Sequence, residues 1–116
     1  MYVESVIQPQ RAETAARAPS LSDAVSTLGG HRDAPVSPSA RFFLDVTAVS
    51  GTSPSMTMNI YAVVNNRTVF LGAFAAVTVV GAYTVRLDNV PEMACVAPSP
   101  LTGTNPSFTC EVRCVR

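Results

Sequence analysis

Gly51-Thr52-Ser53-Pro54-Ser55-Met56-Thr57-Met58-Asn59-Ile60-Tyr61-Ala62-Val63 aligns with Gly103-Thr104-Asn105-Pro106-Ser107-Phe108-Thr109-Cys110-Glu111-Val112-Arg113-Cys114-Val115 at a constant offset of 52. Gly, Thr, Pro, Ser, Thr and Val are identical in the two copies. Each copy opens with turn chemistry and continues with a period of two, the spacing at which side chains alternate across a strand. Met56, Met58, Ile60 and Ala62 make one apolar face, and Phe108, Cys110, Val112 and Cys114 make its counterpart. Thr57, Asn59 and Tyr61, with Thr109, Glu111 and Arg113, fall on the opposite faces. The repeat predicts two equivalent hairpins, side by side or face to face about one core.

Outward from the repeat, β-branched and aromatic residues dominate from Arg41 onward. Strands are expected at 41–49, 55–64, 67–75, 82–88, 93–97 and 107–115, separated by turns at Ser50 to Pro54, Asn65-Asn66, Asn89 to Pro91 and Pro98 to Pro106. Asn65-Asn66 tolerates positive φ and suits a tight hairpin. Six strands with no helical segment between them predict an all-β domain, an antiparallel β-sandwich or jelly-roll-like pair of sheets. The longest apolar run, Phe70 to Ala82, is too short and too broken by glycine to span a bilayer as a helix, and reads as buried strand.

Residues 1–40 differ in composition. They are rich in Ala, Ser, Pro, Gln and Arg, hold few large apolar side chains, and carry breakers at Pro9, Pro19, Gly29, Gly30, Pro35 and Pro38. The division is therefore an extended low-complexity N-terminal arm at 1–40 and a β domain with two related hairpins at 41–116. Gln10 to Ala18 has helix-forming residues and Ser22 to Val25 could pair as a short strand, but neither shows a clear apolar face. The arm is expected to order on a partner, with Val3, Val6, Ile7, Leu21, Val25 and Leu28 as its candidate apolar contacts.

Composition excludes several functions. The chain has 116 residues, 8 Lys+Arg against 8 Asp+Glu, and no Lys, its arginines being scattered singly. One domain of this size has little room for a core plus a deep cleft, and no basic stripe is available to neutralise phosphates, so no nucleic-acid partner is expected. The amino terminus lacks the basic and apolar regions of a secretory signal, and no membrane association is expected. Without that signal, the Asn66-Arg67-Thr68 acceptor pattern has no glycosylation role.

Chemistry is thin. Cys95, Cys110, Cys114 and His31 would formally make a zinc set, but residues four apart in an extended strand are separated by about 13 Å, too far to share one ion. The same distance forbids a Cys110 to Cys114 disulfide within one strand, while Cys95 could meet either across a hairpin. An odd number of cysteines fits thiols used as small apolar side chains. His31 is the sole histidine and sits in the Gly-Gly-His-Arg-Asp stretch of the arm, where a general base would be poorly held. Asp45, Asp88 and Glu92 are dispersed. No catalytic residue, cofactor site or metal site is expected.

The segments Leu44 to Pro54, Gly72-Ala73-Phe74, Val85 to Pro91 and Gly103 to Thr109 resemble a family of small structural proteins of tailed bacteriophages and phage-like particles. The likeness covers about 41–116. It rests on two "GT-S/N-P-S" segments with an arginine-bearing strand between them, Arg86 in this chain. Cys110-Glu111-Val112-Arg113-Cys114 departs from the aromatic or β-branched residues expected there, and residues 1–40 match nothing in that pattern. The resemblance implies a capsid decoration or cement protein, assembled in the host cytoplasm and carried on the virion surface. Its implied partners are the major capsid protein and further copies of itself, a trimer being favoured by local threefold sites. On this reading, removal of residues 1–40 abolishes shell binding and leaves the β domain folded. A tail or head-tail connector component ranks second. A free-standing ligand-binding sandwich ranks third, since three Tyr and no Trp make a thin aromatic platform.

Overall fold

The computed structural model describes residues 3–29 and 37–116. Eight strands build two four-stranded sheets: β1 (Glu4–Glu13), β2 (Val25–Ser26), β3 (Ala40–Ser55), β4 (Met58–Val64), β5 (Arg67–Ala73), β6 (Gly81–Leu87), β7 (Met93–Pro98) and β8 (Thr102–Val115). The sheet orders are β1-β8-β3-β6 and β2-β7-β4-β5, and every pair is antiparallel. The fold is an all-β sandwich. The six strands expected from residue 41 onward are all present, and in β3, β4, β6 and the second half of β8 the period-two pattern coincides with real alternation of burial. In β3, Phe42, Leu44 and Val46 are buried and Arg41, Phe43 and Asp45 are not.

A single long ribbon runs through both sheets. β3 pairs with β8 from Arg41↔Val115 to Ser55↔Thr102, and β4 carries the same pairing on with β7 from Met58↔Pro98 to Ala62↔Ala94. The ribbon folds over between these halves, so its two ends become the central strand pairs of facing sheets. Thr52 lies opposite Thr104 at the fold. A pseudo-two-fold through that pair relates residues of β3 and β4 to those 52 positions later in β7 and β8, the offset of the sequence repeat. It exchanges β3 with β7, β4 with β8, β5 with β1 and β6 with β2, turning one sheet order into the other. The chain ends follow the same rule. Val3 and Arg116 exchange backbone hydrogen bonds of 3.1 and 2.8 Å, where the other half has the Asn65-Asn66 turn. Asn65 and Asn66 have φ of 57° and 59°, as the tight hairpin requires.

The repeat therefore does not encode two hairpins. Each copy lies in one strand of the ribbon; the copies meet at Thr52 and Thr104 and then diverge into different sheets, β4 pairing with β7 and β8 with β3. Met56, Met58, Ile60 and Ala62 with Phe108, Cys110, Val112 and Cys114 all point into the space between the sheets, none more than 1% exposed.

Residues 3–29 do not stand apart from the sandwich as the 1–40 arm anticipates. β1 is an edge strand paired with β8 from Glu4↔Val115 to Glu13↔Phe108. Val3 and Ile7 are buried, and Ile7 packs in the main core. Burial of an isoleucine side chain is worth about 1.5–3 kcal/mol, and it adds to the pairing with β8 in holding this strand. Gln10 to Ala18 is not helical: its first part is strand and its remainder is irregular. Leu21–Asp23 forms a single 3-10 turn, capped by Ser20, whose hydroxyl accepts from the Ser22 N–H, and β2 follows it.

Candidate interaction surface

Candidate chemical groups are dispersed by this fold. Asp45 is exposed on the outer face of the first sheet, and Asp88 lies at the end of β6, accepting a 2.8 Å bond from Ser39. Among the described residues, no three of His, Cys, Asp and Glu are placed to share a metal ion; His31 lies outside them. The three cysteines are free and buried. Cys110 and Cys114 point into the core from β8, whereas Cys95 faces the other side of its sheet beside Tyr61, so Cys95 meets neither. Burial pushes the Cys110 thiol up to about 12 and the Cys114 thiol up to about 11. Burial also raises the Cys95 thiol. All three are held as protonated, poorly nucleophilic groups.

The outer face of the first sheet is charged and self-satisfied. Arg113 donates at 2.7 Å to Glu111 on its own strand and at 2.7 Å to Glu4 on β1. These bonds, that to Glu111 first, raise the Arg113 guanidinium further above its ordinary value. They tie β1 to β8 at the surface, where screening keeps such pairs weak.

The two flanks, where the sheets' edges face each other, are unlike. On the β1/β2 flank the segment after β1 crosses between the sheets, and Arg17 closes the seam. Its guanidinium donates to Glu13 at 2.9 Å and to the Val96 carbonyl at 2.9 Å, and also to Gln8. Glu13 is only 2% exposed, a buried carboxylate matched by a cation. β1 also carries Pro9 and two bulges, and β2 is two residues long, all devices that discourage pairing with another strand.

The β5/β6 flank has fewer of these devices: one bulge in β5, opposite Ile60 and Tyr61, and charges only at Arg67, which opens β5, and Arg86, near the end of β6. Residues 68–85 contain no charge, β6 pairs with β3 without a bulge, and neither β5 nor β6 contains proline. Four of the seven exposed large apolar side chains among the described residues belong to this flank, Val69, Phe70, Val79 and Val80, and a fifth, Val64, ends β4 beside it. Phe70, Val79 and Val80 are 59, 62 and 56% exposed. Phe70 stands edge-on to Tyr61, with ring centroids 5.9 Å apart. The run from Phe70 to Ala82 is thus not a buried strand. Phe74 and Val77 enter the core, and the rest of the run lies on an edge or in the connection to β6.

No family model, no curated protein and no solved structure matches this chain.

The residues proposed from sequence as partner contacts are scattered by the fold. Val3 and Ile7 are consumed by the chain's own core. Val6, Val25 and Leu28 are half-buried on different elements, and only Leu21 is well exposed, at 47%. The exposed apolar residues of the β5/β6 flank lay in plain view as an uncharged run. That run signals a surface only once β5 and β6 are known to be edge strands.

Proposed function

We propose that the protein is a non-enzymatic structural component of a phage head, which binds the outside of the capsid and joins neighbouring capsid subunits. The observation that carries this reading is the apolar β5/β6 flank, which has no charge from residue 68 to residue 85. Monomers guard sheet edges with charge, proline or bulges, as the β1/β2 flank does here, and several large apolar side chains left exposed along an edge are characteristic of a surface covered in an assembly. Resemblance of the two Gly-Thr-Ser/Asn-Pro-Ser segments to those of small phage structural proteins supports the same direction. The partners on this reading are the major capsid protein and further copies of this chain, as a trimer at local threefold axes. Contact then comes from β5, β6 and their connection rather than from residues 1–40. Many weak contacts of this kind hold together through avidity over a repeating lattice.

Antibody labelling of purified particles, imaged by electron microscopy, tests the assignment. Label distributed over the head is the expected result. Label confined to the tail or its junction would replace cementing with connection, and unlabelled particles would remove the virion role.

A further inference from the structure

The closed flank holds an opening of its own. Between β1 and Ser22 to Val25 lies a cleft of about 400 Å³, walled by Ile7, Val25 and Val96 and edged by Gln8, Arg11 and Asp23. This volume is in the range of small ligand sites, and mostly apolar walls with a few polar groups are their usual lining.

Gln8 is the informative residue. It sits in register with Val112, which faces the core, and pairing is irregular on both sides of it, between Val6 and Gln8 and between Gln8 and Arg11. These bulges put Ile7 and Gln8 in burial one after the other, so the Gln8 amide lies between the sheets and is only 6% exposed. Its orientation is set by Arg17. A guanidinium nitrogen can only donate, so the Gln8 atom facing Arg17 Nη2 is Oε1. Nε2 is turned from that contact, and this buried donor has no acceptor among the described residues. A buried donor left unpaired costs more than an ordinary hydrogen bond returns, which marks it as a group meant for something that enters.

We propose that this cleft binds an extended apolar peptide segment of a partner, with one aliphatic side chain between Ile7, Val25 and Val96. A carbonyl of that segment accepts from Gln8 Nε2, and an N–H donates to Asp23. Charge at the cleft favours a neutral peptide over an ion: Arg11 and Arg17 are balanced by Glu13 and Asp23, with Arg11 Nε 3.2 Å from Glu13 and Arg17 Nη1 3.8 Å from Asp23. An acceptor, a donor and an apolar group on one ligand is the pattern of a peptide unit and its side chain. The site is on the flank opposite β5, and the inference does not rest on the virion reading.

The probe is N-acetyl-leucine N′-methylamide, titrated into the full-length ¹⁵N-labelled chain. The Gln8 side-chain amide and the Ile7 and Val25 backbone amides should shift together and saturate. Asp23→Ala should weaken that saturation by about fivefold, and Ser22→Trp, at an exposed position on the cleft edge, should abolish it. Both substitutions are at the surface and leave the remaining spectrum in place. Shifts that do not saturate, or saturate equally in both variants, overturn the proposal. So does a Gln8 amide that contacts a long-lived water and ignores the probe, because hydration alone then satisfies the donor.

Discussion

Gly51 lies beneath the carbonyl of Asn105, so close that a β-carbon at position 51 would stand 2.6 Å from that oxygen. The pseudo-two-fold repeats the contact: a β-carbon at Gly103 would stand 2.6 Å from the Ser53 carbonyl oxygen. Both glycines have φ of +104°, and Ser53 and Asn105 two residues later both have φ of 50°. The Gly-Thr-Ser/Asn-Pro-Ser repeat is therefore the device that folds the ribbon from one sheet into the other. Glycine is needed because two backbones approach there in a conformation that side chains resist.

Gly51→Ala and Gly103→Ala should each destabilise the protein by about 2 kcal/mol or more, combining backbone strain with the steric conflict. Gly81 provides the contrast. The atoms nearest its β-carbon would belong to the Tyr83 side chain, at 3.6 Å, so Gly81→Ala should stay within about 0.5 kcal/mol. Urea denaturation of the three variants checks this, and equal losses at all three positions would remove the special role of the fold-over.

Strands β3, β4, β6 and β8 were legible because alternation in sequence matched alternation in burial, and β5 and β7 because their β-branched and apolar runs sit between turns. The repeat was legible too, but not its meaning. An offset of 52 arises equally from two adjacent hairpins and from two strands crossing at a two-fold, and only pairing separates them. β1 was illegible for a different reason. Several of its inward positions, Ser5, Gln8 and Glu13, are polar, because they sit at a flank seam that Arg17 closes from another segment. Its partner β8 lies at the far end of the sequence, and no local pattern reports that. The exposed flank was hidden likewise: an uncharged run looks the same in a central strand as on an edge.

Because β1 completes a sheet, removing residues 1–13 should unfold the domain rather than release an arm. The deletion strips Ile7 from the core and uncovers the edge of β8 from Phe108 to Val115. The truncated chain should lose near-ultraviolet circular dichroism and amide dispersion, whereas a native-like spectrum would restore the free-arm reading.

Arg17 and Glu13 form an ion pair that is costly to break from one side. Arg17→Met takes the closer guanidinium from the buried carboxylate, leaving it only the half-exposed Arg11, and should cost about 3 kcal/mol. Adding Glu13→Gln removes the stranded charge and should recover a substantial part of that loss. A double-mutant cycle by chemical denaturation reads the coupling directly, and additive effects would show that the pair contributes nothing to closing the seam.

Alkaline pH should reveal the buried thiols. Cys110 and Cys114 are raised from an ordinary value of 9.0 to about 12 and about 11. A thiol whose folded value exceeds its unfolded one stabilises the fold fully below the unfolded value, and this contribution is lost as pH rises through the folded value. Stability should therefore be insensitive to these groups up to about pH 9 and fall between about pH 9 and pH 12. Cys110→Val, which keeps an apolar side chain in place, should make that fall shallower. An unchanged slope in denaturation midpoints from pH 8 to 11 would assign the alkaline loss to other groups.

The β5/β6 flank offers the sharpest separation of folding from assembly. Phe70 and Val80 are more than half exposed, so Phe70→Glu and Val80→Glu should leave cooperative unfolding nearly intact, the former losing only its edge contact with Tyr61. If this flank is what meets the capsid lattice, the same substitutions should reduce recovery of the protein on particles about tenfold or more, because a charge would be buried in an apolar contact. Ala12→Glu, at an exposed position on the β1 edge, adds the same charge where no lattice contact is proposed and should bind as the parent does. Co-sedimentation with particles lacking the protein measures all three. Equal binding by the parent and both flank variants would move the interface off this edge without disturbing the fold, and loss only in Ala12→Glu would place it on the opposite flank, where the cleft beside Gln8 lies.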